Sequence, residues 1–418
     1  MKRLLPLVLA VTLIMGMFAM GSGNGPVTAQ DNTATPAPTA TFLPSTEGTL
    51  VVWVNAEREA IVKAAGEKFQ AKYGIPVVTQ TMGFGDVRNN FNIAAPAGEG
   101  PDLIVGAHDW IGQLYSNGLL EGLDLGDNAK NFDPQAISAF TYDGKLVGVP
   151  YQVEAIGLYY NKDLVPEPPK TFAEAVEISK KLVADGKVDQ GIAIPQDSYH
   201  TYPIFSSYGG YIFGKDKDGN LNPEDVGVDS PGFIKGAEEL DKLVKDKVFN
   251  SAVNYGEASD LFKKGRLAMW VTGPWELNNM RASGINYGVA KIPAFDGPAR
   301  PFLGVQGFMV SKYAKNLDLA KAFATEFIAT QEVMQALYDA APAVSAFLPV
   351  REANPDKDLA GFAESIADGE PMPAIPAMSA VWNSWGNAVT LIYQQKEAPD
   401  KAMKDAAEAI RAEIAKSK

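Results

Sequence analysis

Short apolar runs alternate with helical stretches along the chain from residue 48 onward. Strands are predicted over residues 49–55, 76–81 and 102–105, because each run is short and rich in apolar or β-branched side chains. Between the first two, residues 58–73 repeat their apolar positions at helical spacing and end before Gly74. This strand–helix–strand order predicts an α/β fold with largely parallel sheets covered by helices.

The same alternation continues through the second half of the chain. Thr171 and Glu174 have the spacing of a capping box, so a helix is predicted from there to about Val183. Ser230-Pro231 is typical of a helix start. A strand is predicted over residues 267–271, and the last helix over residues 399–416.

Polar and aromatic residues directly follow two of the predicted strands. These segments are residues 55–58 and 106–110. Because ligands of open parallel sheets bind beyond the carboxyl ends of the strands, a ligand site is predicted here.

The N-terminus has the pattern of an export signal. Lys2 and Arg3 precede an apolar stretch over residues 4–20, and small residues suited to cleavage follow up to Ala29. Residues 1–29 are therefore predicted to be a signal peptide, with a permanent membrane anchor as the alternative. Residues 30–47 are rich in Thr, Pro and Ala and are predicted to be a linker.

Composition adds limits on structure and partners. A chain of 418 residues with 46% hydrophobic residues is long enough for two packed lobes. It has 0 cysteines, so neither a disulfide nor a lipid-modified cysteine is available. The net charge of −13 argues against a nucleic-acid partner, because an acidic surface repels phosphates.

The sequence holds few residues for catalysis or for cofactors. With 2 histidines and no cysteine, a histidine-rich metal site or a Cys/His pair cannot form. We find no nucleophile elbow and no phosphate-binding loop, and we expect no cofactor. Residues 216–220 (DKDGN) depart from the order of a calcium loop and predict a hairpin turn.

The tryptophans fall into two kinds of setting. Trp53 and Trp270 lie inside apolar strands and are predicted to be core residues. Trp275 follows a Gly-Pro break after a strand, and Trp382 lies at a helix start rich in Ser and Asn. These two positions favour aromatic rings that face a cleft.

Several stretches, in one order, resemble the periplasmic maltose/maltodextrin-binding proteins, the extracellular solute-binding proteins of carbohydrate ABC importers. They are LVVWVN (50–55), GEGPDLI (98–104), AHD (107–109), SNGLL (116–120), YDGKLVGVP (142–150), VEAIGLYYNKDLVPEPPKT (153–171), GGYIF (209–213), DVGVD (225–229), TGPWELNN (272–279), NYGV (286–289) and IPAMSAVW (375–382).

The resemblance implies a clamshell of two α/β lobes joined by crossover segments, with a malto-oligosaccharide or maltose held between them. It places lobe one at 48–152 and 308–332, and lobe two at 155–303 and 336–418. It also implies a monomer in the periplasm, or at the outer face of the cytoplasmic membrane, that passes its sugar to ABC permease subunits and is not an enzyme.

Site residues follow from the resemblance position by position. Asn55, Glu57 and Arg58 fall where the family has an Asn, an Asp and a Lys near the sugar hydroxyls. Asp109 and Glu154 match carboxylates of the family's site, and Asp197 replaces a Glu. Tyr199, Trp275 and Trp382 match its aromatic platforms.

Three positions depart from the family. Gly106 replaces a tryptophan, and Trp110 and Gly386 replace arginines, so that Trp110 is expected to restore stacking surface near the sugar. These changes leave open another disaccharide such as trehalose. A secreted glycoside hydrolase, which also needs paired carboxylates, and a lectin or chemoreceptor ligand carrier are the alternatives from other classes.

Overall fold

The first elements of the chain form where the hydrophobic pattern predicts them. A computed structural model describes residues 42–416, so the predicted signal peptide and the linker up to residue 41 lie outside the described residues. The first strand, the first helix and the next two strands are confirmed at Leu50–Val54, Ala56–Tyr73, Val77–Thr81 and Leu103–Ala107.

The strands of the described part are numbered in chain order. They are β1 (Leu50–Val54), β2 (Val77–Thr81), β3 (Leu103–Ala107), β4 (Thr141–Tyr142), β5 (Lys145–Leu146), β6 (Val149–Glu154), β7 (Gly157–Asn161), β8 (Gln190–Ala193), β9 (Phe213–Lys215), β10 (Leu221–Val226), β11 (Leu267–Thr272), β12 (Tyr287–Ala290), β13 (Phe302–Val310), β14 (Val344–Ser345) and β15 (Glu370–Pro371).

The α-helices of the same part follow the same convention. They are α1 (Ala56–Tyr73), α2 (Phe84–Ala94), α3 (Ile111–Ser116), α4 (Pro134–Ala139), α5 (Phe172–Ala184), α6 (Ser198–Ser207), α7 (Pro231–Lys245), α8 (Tyr255–Lys263), α9 (Leu277–Ser283), α10 (Leu317–Ala322), α11 (Gln331–Ala340), α12 (Leu348–Ala353), α13 (Ala360–Asp368), α14 (Val381–Tyr393) and α15 (Pro399–Lys416).

Two sheets form the centres of a two-lobe α/β fold. The larger has the order β14–β6–β13–β3–β1–β2 with β15 beside β13, and the smaller has the order β12–β7–β11–β8. The chain crosses between them directly, because β6 ends at Glu154 and β7 begins at Gly157. The predicted α/β class and its two lobes are confirmed.

Both sheets are mixed, which corrects the expectation of largely parallel sheets. β1 pairs in parallel with β2 and β3, and β11 with β8. However, β13 runs antiparallel to β3 and β6, and β7 antiparallel to β11 and β12. The antiparallel pairs arise because β6, β7 and β13 lie at the crossovers between the sheets, where no strand–helix–strand unit sets their direction.

Local signals in the sequence are also confirmed. The Thr171 hydroxyl accepts a hydrogen bond from the Glu174 amide at 3.2 Å and starts α5, and Ser230 caps α7. Residues 216–220 form the turn between the antiparallel strands β9 and β10. Trp53 and Trp270 are 0% exposed, as expected of core residues.

The predicted linker ends earlier than residue 47. Phe42 packs on Trp53 with 5.0 Å between ring centroids, and the Ser45 hydroxyl donates to Asp102 at 2.6 Å. The Lys315 amide donates to the same hydroxyl at 2.8 Å. An aromatic ring and a buried hydroxyl thus attach residues 42–45 to the folded body.

The lobe boundaries remain a prediction. β14 pairs with β6 in the larger sheet, and Leu337 and Val350 lie in the core on one face of that sheet. We therefore propose that lobe one also includes the chain from 336 to about Ala353. None of the helices within residues 42–416 is both long and apolar enough to span a membrane.

Candidate functional site

The predicted site begins where β1 and β3 end. These strands are parallel neighbours, with Val52 opposite Leu103, so their carboxyl ends share one edge of the larger sheet. Asn55 precedes α1 at this edge, and a short 3-10 turn, His108–Trp110, follows β3.

Asp109 is a buried carboxylate that contacts a distant helix. It is 5% exposed, and its Oδ2 accepts a hydrogen bond from Nε1 of Trp382 in α14 at 3.1 Å. Burial raises the pKa of Asp109 to about 6, although the positive charge of Arg88 and the bond from Trp382 oppose the rise. Two predicted site residues from distant parts of the chain therefore meet.

Glu154 lies at the end of β6 and has both oxygens bound. Gln152 donates to Oε2 at 2.6 Å, and Gln306 donates to Oε1 at 2.9 Å. Burial raises the pKa of Glu154, and these donors and the charge of Arg58 oppose that rise. The carboxylate is thus held in one orientation before any ligand arrives.

The two glutamines were not predicted from the sequence. They lie opposite each other on β6 and β13, with Gln152 in register with Gln306. A usable signal was present, because Gln152 and Glu154 are two apart and so lie on one face of an otherwise apolar strand.

Arg58 and Glu57 have opposite environments. Arg58 is 6% exposed, donates to Gln152 at 3.1 Å and lies over the Tyr151 ring at 5.4 Å. The Glu57 side chain is 60% exposed and accepts a hydrogen bond from Asn55 at 2.7 Å. Arg58 thus supports the Glu154 network, while Glu57 faces solvent.

Two of the predicted aromatic platforms lie beside a phenylalanine that the sequence reasoning missed. Phe302, at the start of β13, has ring centroids 5.8 Å from Trp382 and 6.3 Å from Tyr199. It is 1% exposed and stacks on Tyr202 at 3.8 Å. No local pattern distinguishes Phe302 from other apolar strand residues.

Tyr199 connects the aromatic rings with the carboxylates. Its ring lies 6.4 Å from that of Trp275. Burial raises its pKa well above the usual range, and the negative charges of Glu154, Asp197 and Asp109 add to that rise. The negative charges of three predicted site carboxylates therefore act on one phenol.

Hydrogen bonds fix the orientation of the Trp275 indole. Its Nε1 donates to the Tyr255 hydroxyl at 2.6 Å, and that hydroxyl donates to Glu276 at 2.7 Å. The residue remains 36% exposed. An accessible indole in a fixed orientation is suited to stacking on a ligand.

Trp110 differs from the expectation. It is 6% exposed and packs against Phe84 at 4.9 Å. Its ring covers Gly106, where an added Cβ would lie only 2.2 Å from the indole. The two departures from the family thus complement each other in the core, and this burial argues against an accessible stacking face on Trp110.

The Asp197 carboxylate accepts hydrogen bonds from groups of the helix that follows it, α6. It precedes α6 and accepts a hydrogen bond from the His200 amide at 2.8 Å, while both carboxylate oxygens contact the His200 ring. Among residues 42–416, no cluster of three or more His, Asp or Glu could hold a metal ion.

The two-lobe α/β fold, with carboxylates and aromatic rings meeting at strand ends, is that of a solute-binding protein. The family model for bacterial extracellular solute-binding proteins matches residues 64–367. The chain belongs to the bacterial extracellular solute-binding protein family, which confirms the resemblance seen in the sequence.

Similar proteins bind several different sugars. The galactooligosaccharide-binding protein of Bacillus subtilis (strain 168) is 32% identical over 378 residues, covering 87% of this chain and 89% of the relative. The maltotriose-binding protein of Pyrococcus abyssi (strain GE5 / Orsay) is 31% identical over 367 residues, covering 84% and 79%. A maltooligosaccharide ABC transporter solute-binding lipoprotein of Streptococcus pneumoniae (strain ATCC BAA-255 / R6) is 28% identical over 367 residues, covering 84% and 85%.

Proposed function

We propose that this protein binds a malto-oligosaccharide or a related oligosaccharide between its lobes and delivers it to an ABC importer. The observation that carries the proposal is the hydrogen bond between buried Asp109 and Trp382, together with the Tyr199–Trp275 ring pair on which the charges of Asp109 and buried Glu154 act. We further propose that the protein is exported and acts as a monomer, with membrane permease subunits as its partners.

The chemistry of this group of residues suits a sugar. Carboxylates accept strong hydrogen bonds from hydroxyls, and aromatic faces cover the apolar C–H side of a sugar ring. The Tyr199 hydroxyl and Asn55 Oδ1 are buried without a hydrogen-bond partner among the described residues. Because such atoms are costly to leave unsatisfied, a polyhydroxyl ligand would stabilise the site.

The ligand class is tested by a thermal-shift screen with maltose, maltotriose, trehalose, sucrose, cellobiose and a galactotriose. A sugar that binds only the folded protein raises its apparent stability with the logarithm of sugar concentration over Kd. We expect maltotriose to give the largest shift, confirmed by titration calorimetry. A larger shift with galactotriose would move the assignment to galacto-oligosaccharides, and no shift with any of these sugars would contradict the proposal.

We also expect binding without cleavage. A glycosidase needs one carboxyl protonated beside the scissile bond and a second carboxylate across it. Burial raises the pKa of Glu154, but both of its oxygens already accept N–H donors from Gln152 and Gln306, which oppose that rise and hold the carboxylate away from the role of a free proton donor. After a day with maltotriose, chromatography should show only maltotriose. Glucose or maltose released by the wild type, but not by Glu154→Gln, would favour the hydrolase.

A further inference from the structure

His200 is a buried histidine beside the aromatic platforms. One of its two ring nitrogens has no hydrogen-bond partner among the described residues. His200 lies in α6, is 8% exposed, and its ring is nearly perpendicular to those of Trp275 (86°, 5.9 Å) and Tyr199 (85°, 5.4 Å). The Tyr255 ring lies 6.0 Å away. Nε2 is buried and has no hydrogen-bond partner among the described residues.

The other ring nitrogen determines what Nε2 can do. Nδ1 lies 3.0 Å and 2.8 Å from the two carboxylate oxygens of Asp197. An ionised carboxylate only accepts hydrogen bonds, so Nδ1 carries the proton. In the neutral imidazole, Nε2 then has a free lone pair and is an acceptor.

We propose that His200 Nε2 accepts a hydrogen bond from a hydroxyl of the sugar ring that stacks on Trp275, and that Asp197 is the positioning residue that sets this tautomer. The proposal rests on the proposed function. Of the three rings around His200, Trp275 is the exposed one, at 36%, and the imidazole packs edge-to-face against it. A sugar hydroxyl is a donor of the kind that an unsatisfied buried acceptor requires.

This assignment changes the role of Asp197. Its oxygens accept from the His200 ring and from the amide at the start of α6, so its part in the proposal is to orient His200, although its side chain is 47% exposed. It also makes His200 a specificity residue, because a ligand without the hydroxyl leaves Nε2 unpaired.

The other histidine, His108, provides a comparison for the tautomer of His200. The Val305 amide donates to Nδ1 of His108 at 3.1 Å, so the proton of neutral His108 is on Nε2. Burial lowers the pKa of His108 to about 4, which keeps it neutral at pH 7. The chain has 2 histidines, and in their neutral forms the hydrogen bonds place the proton on opposite ring nitrogens.

The first test needs no ligand. Long-range 1H–15N spectra of the 15N-labelled protein at pH 7, with His200→Phe to assign the signals, report which ring nitrogen is protonated. We expect the Nδ1–H tautomer at His200 and the Nε2–H tautomer at His108. An Nε2–H tautomer or an imidazolium at His200 would overturn the proposal. Asp197→Asn should raise the Nε2–H fraction of His200, whereas a purely structural Asp197 would leave it unchanged.

The second test is calorimetry with maltotriose and galactotriose. His200→Phe keeps a ring but removes the acceptor, and we expect it to weaken binding roughly tenfold or more. His200→Gln, which keeps an acceptor oxygen, should retain more of the affinity. Unchanged affinity in a folded His200→Phe beside a binding wild type would reject the His200 contact alone. A wild type that binds neither sugar would reject the proposed function together with this contact.

Discussion

Asp109→Asn is expected to stabilise the ligand-free protein at neutral pH while weakening ligand binding. The wild-type carboxylate is 5% exposed, and burial raises its pKa to about 6 from an ordinary 3.8. That difference corresponds to roughly 3 kcal/mol of stability lost when the buried group ionises. An asparagine has no charge to bury and can still accept the Trp382 hydrogen bond.

The sign of the pH dependence follows from the raised pKa. The folded state holds the Asp109 proton more tightly than the unfolded chain, so the Asp109 contribution to stability falls as pH rises from about 4 to about 6. Below pH 4 both states are protonated, and the variant should have no advantage. Above pH 7 the advantage should reach its maximum, at about 1–3 kcal/mol once the burial of the amide is allowed for.

Denaturant unfolding of both proteins between pH 4 and pH 8 checks this expectation. Asp127→Asn, which removes an exposed carboxylate, is the matched control and should change little at any pH. In parallel, calorimetry should show sugar binding weakened roughly 10- to 150-fold, because a charged acceptor is lost. A stability difference independent of pH would contradict the assignment of the buried charge to Asp109.

Trp275→Ala is expected to weaken sugar binding by about 1–3 kcal/mol, or roughly 5- to 150-fold. The indole is 36% exposed and is fixed by Tyr255, so removing it takes away a preformed stacking face. Because much of the ring already contacts solvent, the loss of folding stability should be smaller than for a buried tryptophan.

Two further variants distinguish the loss of stacking on the sugar from effects of removing any exposed aromatic ring. Tyr313→Ala removes another exposed aromatic ring, just beyond the far end of β13 from Glu154, and should leave affinity unchanged. Tyr255→Phe keeps both rings but removes the hydroxyl that orients the indole, and an intermediate loss is expected. Equal affinities of Trp275→Ala and wild type by calorimetry would remove Trp275 from the site.

Features of the fold that depend on neighbouring residues were predictable from the sequence. The capping box of α5, the proline start of α7 and the turn between β9 and β10 are set by side chains within a few residues of the backbone groups that they bind. The strands β1 and β3 were predictable because short runs of apolar and β-branched side chains favour buried strands. The resemblance then identified the family and most of the candidate site.

Features that depend on distant contacts became visible only in the tertiary structure. Strand alternation places Gln152 on the same face as Glu154, but nothing in the sequence marks Gln306, and only the register of β6 against β13 brings both glutamines onto Glu154. Likewise, the burial of Trp110 depends on Phe84 and on the space above Gly106.

Hydrophobic periodicity determines which face of an element is buried, but not which element covers that face. That element is selected by packing between segments far apart in the chain, and this packing also determines the pKa of Asp109 and the orientation of Trp275.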